Sequence, residues 1–169
     1  MKLSKKLLHA ASLGLLSLAL SLYAPLLAQT SEEKVIPTEV SQPPYAVGDL
    51  VVKQGHYIER GGEQAAINLR LENNQVRVYW IDADGLIADA EAQTGSIHIK
   101  GTGVKGNPYQ QLQPLAGNSG LAGQRAIFPP HNFFTRLVLV DSASGASKTH
   151  TFRYTPAMNT ATMPAIASE

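Results

Sequence analysis

Strict alternation of apolar and polar residues marks the clearest predicted strand of this chain. Residues 75–82 read Gln-Val-Arg-Val-Tyr-Trp-Ile-Asp, which places the two valines and the only tryptophan on one face. Residues 67–71 show the same period of two, and Asn73-Asn74 between the two runs tolerates positive φ. The pattern therefore predicts a β-hairpin with one buried face. The predicted core residues of this and a later strand are Trp80, Val78, Leu69 and Leu139.

Further strands are predicted at residues 96–100, 133–141 and 147–155, each bounded by Gly, Pro or Ser turns. The continuous apolar run 137–140 predicts a central strand covered on both faces or nearly so. Residues 116–123 are rich in Gly, Asn and Ser and are predicted to form a loop, followed by a short strand at 125–128. About seven short strands without a helical stripe are typical of an all-β antiparallel sandwich, with a small barrel as the alternative.

The first 28 residues have the order of a secretory signal peptide. Lys2, Lys5 and Lys6 precede an apolar run at 7–22, and Ala28 offers a small residue for cleavage. The run is shorter than the roughly 20 residues that a spanning helix needs, so we expect no stable membrane anchor after cleavage. We then expect a Pro-containing linker at 29–46, a β-sandwich domain at 47–156 and a disordered tail at 157–169.

Charge and cysteine content limit the possible partners. Removal of residues 1–28 takes away three lysines and leaves 11 basic and 13 acidic residues, a formal charge of −2. A chain without a basic excess is not expected to bind nucleic acid. The absence of cysteine means that the sequence offers no disulfide, no thiolate metal ligand and no cysteine nucleophile.

Candidate chemical motifs fail on their spacing. Asp82 and Asp84 suggest a calcium loop, but Gly85 falls at the fourth position where an EF-hand needs its glycine at the sixth. No two histidines are spaced as a ready pair of ligands, although His98 and His150 are candidates for a pair across strands. No serine lies in a nucleophile motif. We therefore expect no catalytic residues, no tight metal site and no cofactor.

The stretch QVRVYWIDADGLIADAEAQTGSIHIKG follows a Gly-Gly pair, and the stretch FTRLVLVDSASGASKTHTFRYTP comes later in the chain. Together they resemble the core and the closing strands of a small periplasmic immunoglobulin-like domain found with heavy-metal efflux systems. The resemblance covers residues 56–155. It implies an immunoglobulin-like β-sandwich, a periplasmic location and an accessory role beside a transporter. The matching positions are Gly61, Gly62, Val76, Val78, Tyr79, Asp82, Asp84, Gly85, Thr94 and Gly95.

This chain departs from that family in its leader. The His- and Met-rich leader of such proteins is absent, since residues 29–46 contain no histidine, and Met158 and Met163 stand alone near the end. The sequence thus predicts an exported, non-enzymatic β-sandwich module, periplasmic or secreted, that binds a protein partner in the cell envelope as an accessory of a transport system. A metal-handling protein and a carbohydrate- or peptide-binding module are the alternatives left open.

Overall fold

The computed structural model describes residues 36–102 and 108–162, which belong to one compact unit. The prediction of an all-β antiparallel fold is confirmed. The predicted signal peptide, residues 29–35 of the linker and residues 163–169 of the tail lie outside the described residues. The strands are β1 (His56–Ile58), β2 (Ala66–Glu72), β3 (Gln75–Ile81), β4 (Ile87–Ala88), β5 (Ala92–Thr102), β6 (Tyr109–Pro114), β7 (Gly120–Ala126), β8 (Asn132–Asp141) and β9 (Ser147–Tyr154).

Hydrogen bonding joins the strands into one continuous antiparallel sheet rather than into two separate sheets. The order is β1-β2-β3-β7-β6-β5-β8-β9, and β4 pairs with β3. The two ends of this path meet through side chains, because the His56 imidazole on β1 stacks on Phe152 of β9 with 3.9 Å between ring centroids. The sheet is therefore nearly closed and barrel-like.

The interior of the curved sheet holds the main hydrophobic core. Period-two alternation directs every second residue inward, as the hairpin pattern predicts. The asparagines at the tip, Asn73 and Asn74, have φ of 50° and 62° and form the predicted tight turn. Trp80, Val78, Leu69 and Leu139 all lie in the core cluster, and Trp80 is 1% exposed.

The segment before β1 covers the outer side of the β2–β3 hairpin. Tyr45 and Val51 form a second buried cluster with Tyr79, Ile81 and Ile87 from the outer side of the sheet. The Ser41 N–H also donates to the Leu50 carbonyl at 2.8 Å. Tyr45, within the residues predicted as a linker, thus packs on the sheet, with its ring edge-on against Tyr79.

Residues 157–162 depart from the predicted disordered tail. A short 3-10 turn, Pro156–Asn159, follows β9, and the Met158 carbonyl accepts a 2.7 Å hydrogen bond from the Gly55 N–H. Lys53 and Thr162 then form an isolated antiparallel bridge. These hydrogen bonds join residues 157–162 to residues 53–55, which precede β1, and a sequence without periodicity does not predict them.

No helix among the described residues is long and apolar enough to cross a membrane.

The predicted loop at 116–123 is wrong in its second half, where β7 begins. Only a 3-10 turn, Ala116–Asn118, precedes this strand. Glycine is required at position 120 of β7, because a Cβ there would lie 2.3 Å from the Val78 carbonyl oxygen. The small residues that suggested a loop therefore permit close strand contact.

Candidate functional site

The two histidines named as candidate metal ligands do not form a pair. His98 on β5 is in register with Arg136 on β8 and points outward, where its ring stacks on Tyr109 at 4.3 Å. His150 on β9 is in register with Leu137, a core residue, and therefore points to the opposite face of the sheet. Within residues 36–102 and 108–162, no three His, Asp or Glu side chains converge on a possible metal position.

The other two histidines of the described residues, His56 and His131, have neighbours within the fold. His56 packs on Phe152 at the junction of the sheet ends. His131 lies between the Ile127 carbonyl, 2.9 Å from Nε2, and the Asn159 amide, 2.8 Å from Nδ1. Asn159 also accepts a 2.9 Å hydrogen bond from the Tyr154 hydroxyl. This network links the 3-10 turn after β9 to the sheet, so His131 has a structural role.

The lowered pKa values of two histidines predict that the stability of the protein depends on pH. Burial lowers the pKa of His56, and burial with the nearby Lys148 and Arg60 charges lowers the pKa of His150. As the pH falls through about 6.5, the unfolded chain binds protons that the folded chain resists, so stability falls. Urea unfolding at pH 7.5 and pH 5.5 should show this loss. His56→Phe, which keeps the ring contact, should lose less stability between these two pH values, and an equal loss would contradict the assignment.

A broad exposed surface is formed by the outward side chains of β5, β6, β8 and β9, which we call the outer face. Register places them in cross-strand rows, since outward residues of neighbouring antiparallel strands lie side by side. One row contains Tyr109, His98, Arg136 and Thr151. The next row along the strands contains Lys100, Phe134 and Arg153.

Two aromatic rings of the outer face are open to solvent. Tyr109, at the start of β6, is 59% exposed, and Phe134, in the middle of its row, is 58% exposed. The Arg153 guanidinium lies 5.5 Å from the centre of the Phe134 ring, and its Nε donates to Asn132 Oδ1 at 3.0 Å. Strand spacing places the Cα atoms of the two residues roughly 12 Å apart. The two residues thus provide two separate exposed aromatic rings on one face of the sheet.

The outer face carries only positive formal charge. Lys100, Arg136 and Arg153 occupy outward positions, and no Asp or Glu does so along the described parts of these four strands. The sequence as a whole is nearly neutral. The positive charge is therefore a local property of this surface, and it favours an acidic ligand.

A shallow groove of about 430 Å³ runs beside Tyr109. Its lining is rich in hydroxyl and amide groups that can donate and accept hydrogen bonds. The lining residues are Thr94, Gly95, Ser96, Tyr109, Gln110, Gln111, Val138 and Val140. The predicted cover on both faces of the 137–140 run is incomplete, because Val138 and Val140 are only half-buried on this groove. The open face of β8 contributes to the groove instead of to a second core.

A second polar region lies on the outer side of the β2–β3 hairpin, where the alternating pattern predicts solvent-facing residues. Asn68 and Arg70 are instead fully buried beneath the 41–53 segment. The Arg70 guanidinium lies 5.7 Å from the Tyr45 ring and 5.5 Å from the Tyr79 ring, and its Nε donates to Asn68 Oδ1 at 2.7 Å. The period-two pattern identifies which side of the hairpin points outward, but it does not show which segment of the chain covers that side.

Comparison with known proteins identifies no relative: no family model matches the chain, and no curated protein or solved structure matches it significantly. The function must therefore be inferred from the chain's own surfaces. The outer face combines exposed aromatic rings, positive charge and hydrogen-bonding side chains on one side of the sheet.

Proposed function

We propose that this protein is an exported, non-enzymatic binding module whose outer face binds an acidic polysaccharide. The single observation that supports this most is the pairing of exposed Tyr109 and Phe134 with a row-ordered set of positive side chains on one sheet face. The signal-peptide pattern supports export, which places such a module where envelope and extracellular polysaccharides occur.

Each part of the outer face fits a part of an acidic sugar chain. Pyranose rings have apolar C–H faces that pack on aromatic rings, and Tyr109 and Phe134 are spaced to contact different sugars of one chain. Carboxylates on the sugars pair with guanidinium groups such as Arg136, which bind them with two parallel hydrogen bonds. Ser, Thr and Gln side chains of the groove match sugar hydroxyls. A shallow, open groove of this kind suits an extended chain better than a compact ligand.

A direct titration tests this proposal. Oligogalacturonate should bind the wild-type protein, and its affinity should fall with added salt because exposed ion pairs are screened. Arg136→Gln should weaken binding by about tenfold, which corresponds to ~1.4 kcal/mol. Lys148→Gln is the matched control, since this residue is on β9 but is in register with the core residue Leu139 and points away from the outer face. It should bind like the wild type.

Three other ligands test competing interpretations of the outer face. Neutral dextran should bind far more weakly than oligogalacturonate. Equal binding of polyglutamate would indicate an acidic protein as the partner, and equal binding of a single-stranded oligonucleotide would indicate a general polyanion surface. Either result, or no binding of oligogalacturonate, would overturn the polysaccharide assignment.

A second candidate function follows from the resemblance to periplasmic immunoglobulin-like domains, namely an accessory protein of an envelope transport system with a sandwich fold. The observation that favours it is the backbone geometry of three matching glycines. Gly61, Gly62 and Gly85 have φ of 77°, 62° and 83°, which glycine adopts at little cost. This candidate predicts a protein partner at the outer face, so the polyglutamate titration separates the two.

A further inference from the structure

A crevice separate from the outer face opens at the tip of the β2–β3 hairpin. Its floor is formed by Glu72, Arg77 and Tyr79, and its volume is about 290 Å³. One wall comes from the segment 43–45 that precedes β1, and the other comes from residues 115–119 between β6 and β7. The covering segment thus leaves this end of the hairpin open while it buries the end near Arg70.

The floor holds a buried carboxylate with one oxygen that lacks a hydrogen bond. Glu72 Oε2 accepts a 3.0 Å bond from the Tyr79 hydroxyl, whereas Oε1 has no partner among the described residues. The Glu72 side chain is 11% exposed. Burial raises the pKa of Glu72, and the Tyr79 bond and the Arg70 and Arg77 charges oppose this change. A buried acceptor of this kind is unfavourable unless a donor reaches it.

Neighbouring groups define the charge of a suitable ligand. The Arg77 Nε lies 3.8 Å from Glu72 Oε2, while its other nitrogens donate to backbone oxygens and to Gln75. With Arg70 beneath the tyrosine rings, the cluster has two positive charges and one negative charge. A cationic ligand would meet the positive excess, and an anionic ligand would face the Glu72 oxygen. A neutral ligand with hydroxyl donors avoids both conflicts.

The walls and the size limit the ligand to one small ring. Pro43, Pro44 and Leu115 supply apolar surface on both sides, and the buried Ser119 hydroxyl donates to the Ala116 carbonyl at 3.2 Å. A volume of about 290 Å³ is at the lower end of small-molecule sites. We propose that this crevice binds one neutral pyranose residue, with adjacent hydroxyls donating to Glu72 Oε1 and accepting from Arg77.

Nuclear magnetic resonance titration tests this site without using the outer face. Glucose, galactose, mannose and N-acetylglucosamine are each added to the full-length mature protein. At least one should give saturable shifts of amides in the hairpin tip and in residues 115–119. Glu72→Gln should weaken that binding about tenfold or more, since the amide removes the free acceptor. Ala116→Trp should block the crevice while the charged cluster stays intact, and exposed Glu63→Gln should change nothing.

Three results would overturn the inference. These are the absence of saturable shifts with all four sugars, unchanged binding in both Glu72→Gln and Ala116→Trp, and saturation by methylammonium chloride in place of the sugars, which would identify a cation site. Neutral monosaccharides lack the carboxylates that the outer face is proposed to bind. Failure at the crevice therefore leaves the polysaccharide proposal standing, and failure of the oligogalacturonate titration leaves this one standing.

Discussion

Trp80→Ala should lower the free energy of unfolding by about 3–5 kcal/mol, the largest loss that we expect from a single substitution. The indole is 1% exposed and lies on the inward side of β3 with Val76 and Val78. Its Cα partner across the hairpin is Ile67, and Ala88 lies opposite on β4. Removing it leaves a cavity in the interior of a sheet that is hydrogen-bonded on both sides, so the surrounding strands cannot move in to fill the space.

Circular dichroism during chemical denaturation measures this loss, since the variant has no tryptophan fluorescence. Phe134→Ala is the matched control, because this aromatic residue is 58% exposed on the outer face. The control should lose less than about 1 kcal/mol. Similar losses for the two variants would contradict the placement of Trp80 in the core and of Phe134 on the surface.

Gly55→Ala should destabilise the protein by about 2–4 kcal/mol, through a strained backbone and overpacking together. Gly55 has φ of 88°, and a Cβ there would lie 2.3 Å from the Leu69 carbonyl oxygen and 2.8 Å from Arg70 Cβ. Both obstacles belong to β2, whose backbone is fixed by strands on either side. The strand cannot shift without loss of its hydrogen bonds or of the buried Arg70.

Gly48→Ala separates the two causes. Gly48 has nearly the same φ, 90°, but a Cβ there would meet no atom within 4 Å. Thermal unfolding should therefore show a loss of about 1–2 kcal/mol for Gly48→Ala, which is the cost of the backbone conformation alone. Equal losses at both positions would mean that the close approach to β2 contributes nothing.

The local sequence pattern predicts the strands of this fold better than it predicts which segments of the chain cover them. The alternation at residues 67–82 predicts the hairpin and its inward side correctly, because period two depends only on the pleat of the strand. It fails for Asn68 and Arg70, whose burial depends on a segment some 20 residues earlier in the chain. It also fails for β7, because Gly120 serves close packing there and loops favour the same residue.

The sequence identifies the residue types of the candidate site but does not predict their arrangement in space. Tyr109 and Phe134 are 25 residues apart in the chain, and only the pairing of β5 with both β6 and β8 brings their rows together. The separation of His98 from His150 follows from the same register. The crevice depends on segments 43–45 and 115–119, which show no periodic pattern. The order of the strands in the sheet, which single strands do not reveal, therefore brings the residues of the candidate site together.

The most direct test of the proposed function is to map the oligogalacturonate contact by amide chemical shifts. We predict saturable changes along β5, β6, β8 and β9, largest around Tyr109, Phe134 and Arg136, with the tip of the β2–β3 hairpin unaffected. In Arg136→Gln these changes should require about tenfold more ligand. Saturable changes located elsewhere, or none on these four strands at low salt, would contradict the assignment of the outer face as the binding surface.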